Sequence, residues 1–269
     1  MRLLRIAILT VALLSTSCSS DSIKHLGSLA KGPAKAPEVP APRLVMFIGV
    51  DISGSFMNGR YFDDSIDFLA RYIHAHLNGE GEMEVPHSLF VGSIGGATKD
   101  EAKTLYPIEA FQHRSIEQIE ARLHEIFPKG RVNTYTDFNA FFQRAATHVR
   151  RNNLALAPLN VVLFSDGEPD YPGAARMSTE EKYSKLDMSP LEYLARNVTV
   201  RLLYASPPIA QLWERRVPRK RVRLWTQDAD VMRGWRRHMV DGVPMEKQDS
   251  LWSWVQNVVD VRVARERVL

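Results

Sequence analysis

The stretch Leu44–Ser55, LVMFIGVDISGS, joins an apolar run to a cluster of short polar side chains. Its first half is mostly apolar and contains valine, isoleucine and phenylalanine, which predicts a buried strand. Asp51, Ser53 and Ser55 follow directly and place oxygen atoms at alternate positions on a turn that contains a glycine. One carboxylate and two hydroxyls are hard oxygen ligands, and Mg²⁺ prefers such ligands. The stretch therefore predicts a strand that ends in part of a metal site.

Two segments further along the chain offer the same kind of side chain. The segment Asn133–Asp137, NTYTD, precedes a helical pattern. A second apolar run, Asn160–Phe164, leads into Ser165–Glu168, SDGE. In parallel sheets, ligands bind beyond the carboxyl ends of the strands. We therefore expect the three loops to converge on one site.

The motifs DISGS, TYT and FSDGE, in this order between about Leu44 and Asp260, resemble the von Willebrand factor type A (vWA) family, which includes integrin I domains. In that family the three corresponding loops form the metal-ion-dependent adhesion site, or MIDAS. The resemblance implies five ligands for Mg²⁺ or Mn²⁺: the hydroxyls of Ser53, Ser55 and Thr134, and the carboxylates of Asp51 and Asp166, which bind directly or through water. Thr136 is expected to cap the following helix rather than to contact the metal.

The rest of the chain alternates between helix-like and strand-like hydrophobic patterns. Alternation of this kind predicts an α/β fold with a doubly wound, mostly parallel central sheet flanked by helices, as in vWA and Rossmann-like domains. A capping box of Ser115 and Gln118 opens one of the helices. The predicted helices are 62–77, 116–126, 138–149, 190–196, 209–214 and 248–261, and the remaining strands are 88–94, 198–204 and 221–225.

The amino terminus has the pattern of a secretory signal. Two arginines precede the apolar run Ile6–Leu14, which is far shorter than the ~20 residues of a membrane-spanning helix. Small residues then lead to Cys18, the only cysteine of the chain. This ending resembles a bacterial lipobox and predicts acylation of Cys18 with palmitate-type chains. Leu14 lies four residues before the cysteine, where three is usual, so conventional cleavage after Ser17 stays open as an alternative.

These patterns divide the chain into a signal peptide at 1–17, a lipidated amino terminus and flexible tether at 18–43, and a vWA-like domain at 44–269. The tether is rich in proline, alanine and lysine and cannot form a core. Ser19 follows the cysteine in place of an aspartate, and by resemblance to bacterial lipoproteins this favours the outer membrane. We expect a lipid-anchored protein of the bacterial cell envelope that faces the periplasm.

Charge does not identify a partner, since the formal net charge is only +4. The segment Arg215–Arg223, RRVPRKRVR, is strongly basic. It is read either as a solvated loop or as a contact for an anionic surface or an acidic partner. A nucleic-acid partner is not expected for an exported protein.

The predicted ligand set leads to a hypothesis about function. Two carboxylates leave a divalent ion with affinity for a third, so a protein partner could supply an Asp or Glu side chain. We therefore expect a metal-dependent protein-binding module of the envelope rather than an enzyme. The alternatives are a metal-independent scaffold in an envelope complex and a metal-assisted hydrolase. The sequence contains no P-loop, G-x-S-x-G or H-E-x-x-H motif that would favour the hydrolase.

Overall fold

A six-stranded sheet with helices packed on its two faces forms the centre of the protein. The structure is a computed structural model, and it describes residues 43–95, 104–130 and 134–262. The predicted signal peptide, Cys18 and nearly all of the tether lie outside the described residues. Within those ranges, no helix has both the length and the apolar character needed to cross a bilayer.

The strands have the order β3-β2-β1-β4-β5-β6, and all pairs are parallel except the edge pair β2–β3. The strands are β1 (Val45–Val50), β2 (Ser88–Ser93), β3 (Tyr106–Pro107), β4 (Leu159–Phe164), β5 (Val198–Ala205) and β6 (Val222–Asp228). The chain builds outward from β1 to β3 on one side and from β4 to β6 on the other. The strand order thus reverses between β1 and β4, which is the position where such sheets bind ligands. The predicted doubly wound α/β fold is confirmed.

Eight α-helices occur in the described part of the chain. They are α1 (Gly54–Met57), α2 (Phe62–Asn78), α3 (Ile116–Ile126), α4 (Phe138–Arg151), α5 (Thr179–Ser184), α6 (Pro207–Arg216), α7 (Ala229–Arg233) and α8 (Asp249–Trp254). Helices α2, α3, α7 and α8 contribute to the apolar core on one face of the sheet, and α4, α5 and α6 to the core on the other. Because both faces are covered, the central strands β1 and β4 are apolar almost throughout.

The main helices and strands agree with the predicted segments, and the capping box of Ser115 and Gln118 is present. The helix predicted at 190–196 is wrong, because only a short 3₁₀ turn, Ser189–Leu191, forms there. Tyr193 then adopts a φ of 64°, which a right-handed helix does not permit. The last helix is also shorter than predicted, since α8 passes into a π-helical turn at Val255–Val259.

Candidate metal centre

Asp51 is fully buried at the carboxyl end of β1, and it joins the loop after β1 to the loop after β4. Its Oδ1 accepts a hydrogen bond from the backbone N–H of Ser53 at 2.8 Å. Its Oδ2 accepts one from the hydroxyl of Ser165 at 2.6 Å, and Ser165 Oγ in turn accepts the N–H of Gly167 at 2.9 Å. The register explains this contact, because Val50 pairs with Phe164 and the two loops therefore begin side by side.

The two serines of the DISGS motif bring their hydroxyl oxygens together. Ser53 Oγ and Ser55 Oγ lie 3.1 Å apart. Ser53 is buried and Ser55 is exposed, and α1 begins between them at Gly54. With metal–oxygen distances of about 2.1 Å, adjacent oxygens of an octahedral Mg²⁺ shell lie about 3 Å apart. The spacing of the two hydroxyls therefore fits two neighbouring positions around one such ion.

Asp166 supplies a second carboxylate, which interacts electrostatically with Asp51. Burial and the negative charge of Asp166 raise the pKa of Asp51 to about 6, while hydrogen bonds from Ser165 and Ser53 lower it. Burial and Asp166 also raise the pKa of Glu168. A cation bound between these carboxylates would relieve the repulsion, and their oxygen ligands suit a hard divalent ion.

The third predicted loop lies against the loop after β4 and against the loop after β2. The backbone of Thr136 forms a bridge with Asp170, whose N–H donates to the Thr136 carbonyl at 3.1 Å. At Gly95, just after β2, an added Cβ would lie 1.6 Å from the Tyr135 carbonyl oxygen, so only glycine permits this close approach. Thr134 is exposed on this loop, and in the described part of the chain no hydrogen bond joins it to the other predicted ligands.

The structure therefore joins Asp51, Ser53 and Ser55 directly, brings Asp166 into electrostatic interaction with Asp51, and leaves Thr134 on a loop that adjoins the one after β4. The expectation that Thr136 caps the following helix is wrong. Asp137 is the cap of α4, and its Oδ1 accepts the N–H of Ala140 at 3.0 Å. Thr136 is instead buried, and its backbone pairs with the loop after β4.

Ser165 is the residue of this centre that the sequence reasoning did not assign. It is fully buried, and its hydroxyl fixes the orientation of the Asp51 carboxylate. The only signal in the sequence is a hydroxyl residue at the first position after an apolar strand. Serine is common at such strand ends, so this signal does not distinguish a positioning role from a turn.

The described residues contain no group of three or more His, Cys, Asp or Glu side chains arranged to hold a metal ion. The predicted centre differs from that kind of site, since it combines two carboxylates with hydroxyl groups.

No protein-family model matches the sequence, and no curated protein matches it. Among solved structures, the chain is similar to the VWA domain of SpRpn10, with 15% identity, a TM-score of 0.40, and coverage of 70% of this chain and 89% of that one. It is similar to the pilus adhesin SpaC from Lactobacillus rhamnosus GG in its open conformation, with 11% identity, a TM-score of 0.44, and coverage of 72% and 29%. It is also similar to the human COPII-coat protein Sec24c, with 10% identity, a TM-score of 0.43, and coverage of 72% and 32%. Similarities this distant concern the fold alone and do not assign the protein to a family.

Proposed function

We propose that this protein is a divalent-metal-dependent protein-binding module of the bacterial cell envelope. Asp51, Ser53, Ser55, Thr134 and Asp166 hold Mg²⁺ or Mn²⁺, and the ion binds an Asp or Glu carboxylate of a partner protein. One observation carries the proposal. A fully buried carboxylate, Asp51, interacts electrostatically with the carboxylate of Asp166, and two hydroxyl oxygens 3.1 Å apart lie on the same short turn.

The charge of the ligand set favours binding of an acidic side chain. When bound, the ion supplies an electrophilic centre, and a partner carboxylate can complete its coordination shell. Two carboxylates balance a divalent ion formally but leave it with hydroxyl ligands, which donate less charge than further carboxylates would. The residues of this chain hold the ion and orient its ligands, and Ser165 keeps Asp51 in place through a 2.6 Å hydrogen bond.

Binding rather than catalysis is supported by the accessibility of the hydroxyl groups. The Ser165 hydroxyl donates to Asp51, as a nucleophile would to its base, but Ser165 is fully buried and no substrate atom can reach it. The hydroxyls of Ser53 and Ser55 are hydrogen-bonded to each other, and Ser53 also bonds to Asp51, which the proposal assigns to the metal ion rather than to a base. We therefore propose that the protein is not an enzyme.

The location in the envelope belongs to the same proposal and rests on the sequence. The signal pattern at 1–17 and the single Cys18 that follows it support export and a lipid anchor in the outer membrane, with the domain facing the periplasm.

An affinity experiment tests the proposed function. The chain carrying Cys18→Ser is immobilised and incubated with detergent-free envelope extract, once with Mg²⁺ and once with EDTA. We expect a specific partner to bind with Mg²⁺ only, to be lost with Asp166→Asn, and to be retained with Asp241→Asn, which changes an exposed aspartate outside the site. A partner retained equally with EDTA and with Asp166→Asn would overturn the proposal and favour a metal-independent scaffold.

A further inference from the structure

The edge of the sheet opposite the candidate metal centre is formed by the amino ends of five parallel strands, β1, β2, β4, β5 and β6. Val45, Leu159, Val198 and Val222 are paired across β1, β4, β5 and β6. The loops that lead into these strands therefore lie together at this amino edge, and Asp51 and Asp166 lie at the other one. Arg43 is the first described residue, and it enters β1 at the amino edge.

Two large apolar side chains project from neighbouring loops at this edge. Leu156 is 69% exposed and Tyr193 is 68% exposed. The loops are joined, because the Leu156 N–H donates to the Leu194 carbonyl at 2.7 Å. Both residues have a positive φ, 76° for Leu156 and 64° for Tyr193. Bulky residues rarely adopt this conformation, and such strain collects at functional sites. The two exposed apolar side chains are therefore carried by a strained backbone.

The basic segment before β6 is fixed beside Tyr193. The buried carboxylate of Glu192 accepts the backbone N–H of Lys220 at 2.7 Å and that of Arg221 at 2.8 Å. The guanidinium of Arg221 lies 4.9 Å from the centre of the Tyr193 ring. Between described residues, neither Lys220 nor Arg221 forms an ion pair with an acid. The segment is thus an ordered, exposed cationic loop and not a loosely solvated one.

We propose that these residues form a membrane-docking surface, defined by Leu156, Tyr193, Lys220 and Arg221, that binds a bilayer containing anionic lipid. Exposed leucine and tyrosine side chains bordered by lysine and arginine are typical of surfaces that insert shallowly at the headgroup level. Charge complementarity supports this occupant, because Lys220 and Arg221 are exposed and a bilayer with anionic lipid carries the opposite charge.

This surface goes beyond the proposed metal-dependent binding and does not require acylation of Cys18. Its test uses the chain processed before residue 18 and carrying Cys18→Ser, sedimented with vesicles of phosphatidylcholine alone or mixed with phosphatidylglycerol, in EDTA. We expect sedimentation with the mixed vesicles only. Because the assay contains EDTA, its outcome does not depend on whether the proposed metal-dependent function is correct.

Two variants remove the two kinds of contact. Leu156→Gly with Tyr193→Gly suits the positive φ values, so the fold is retained while binding falls by about tenfold or more. Lys220→Gln with Arg221→Gln is expected to weaken binding roughly fivefold per charge, and only to anionic vesicles. Val240→Ala and Arg176→Gln remove an exposed apolar residue and an exposed cation elsewhere, and serve as matched controls.

The vesicle experiment either supports or overturns the proposal. Vesicle binding that depends on both variant pairs, with unchanged melting curves by circular dichroism, supports the membrane-docking surface. The proposal is overturned if the Cys18→Ser chain does not sediment with anionic vesicles, if the variant pairs sediment as well as their controls, or if this surface binds an acidic protein in place of the vesicles.

Discussion

Replacing Asp51 with asparagine tests the electrostatics of the candidate metal centre without removing its shape. Burial and Asp166 raise the pKa of Asp51 from its ordinary 3.8 to about 6. The native chain therefore binds more protons than the unfolded chain between these pH values, and wild-type stability falls as the pH rises through about 6. A difference of about two pKa units between the native and unfolded chains lowers the free energy of unfolding by about 3 kcal/mol at neutral pH.

We expect Asp51→Asn to be more stable than the wild type at pH 8 in EDTA. The variant avoids the cost of the buried charge, about 3 kcal/mol, but it disturbs the hydrogen bond from Ser165 at a cost of about 1 kcal/mol. The net gain of roughly 2 kcal/mol corresponds to a melting temperature about 4–8 °C higher for a domain of this size. Below pH 4 the Asp51 carboxyl is protonated in the native wild type, so this gain disappears.

Urea unfolding followed by circular dichroism between pH 4 and pH 8 measures these differences. In EDTA the two stabilities should converge at low pH and separate at high pH. Added Mg²⁺ should stabilise the wild type and leave Asp51→Asn unchanged, and Asp241→Asn should behave as the wild type does. An Asp51→Asn variant that is less stable at pH 8 in EDTA, or that keeps the wild-type dependence on pH, would refute the electrostatic reasoning.

Three further predictions concern the other parts of the account. Thr134→Ala should weaken Mg²⁺-dependent partner binding in a titration while the melting temperature stays unchanged, because Thr134 is exposed; undiminished binding would remove it from the ligand set. Gly95→Ala should lower the free energy of unfolding by about 1–3 kcal/mol, because its methyl group would lie 1.6 Å from the Tyr135 carbonyl oxygen. Gly234→Ala should change it little in the same thermal melts, because no neighbouring atom lies within 4 Å of the added Cβ. Cys18→Ser should move the protein from the membrane fraction to the soluble fraction after cell lysis in high salt, which screens the membrane-docking surface. Continued attachment of a correctly processed variant would argue against a lipid anchor.

The sequence was sufficient for the sheet and for part of the candidate site because both depend on local patterns. Apolar runs that end in DISGS and SDGE mark strand ends, and parallel strands bring those ends together. The contact between Ser165 and Asp51 could not be predicted, since it depends on the pairing of Val50 with Phe164 across two strands. No local pattern in the sequence specifies that register.

The segment near Glu192 shows a second limit of local patterns. Its apolar spacing predicts a helix, but the Glu192 carboxylate accepts backbone hydrogen bonds from Lys220 and Arg221, nearly thirty residues away. Tyr193 then takes a positive φ that ends any helix. A long-range contact therefore overrides local propensity here, and it also creates the surface that we propose for the membrane.

Calorimetric titration of Mg²⁺ into the metal-free Cys18→Ser chain tests the central claim most directly. The account predicts saturable binding at one site in the wild type and in Asp241→Asn, and no binding in Asp166→Asn, although all three remain folded by circular dichroism. Equal binding by Asp166→Asn and the wild type, or no saturable binding by the folded wild type, would contradict the claim that Asp51 and Asp166 hold a divalent ion.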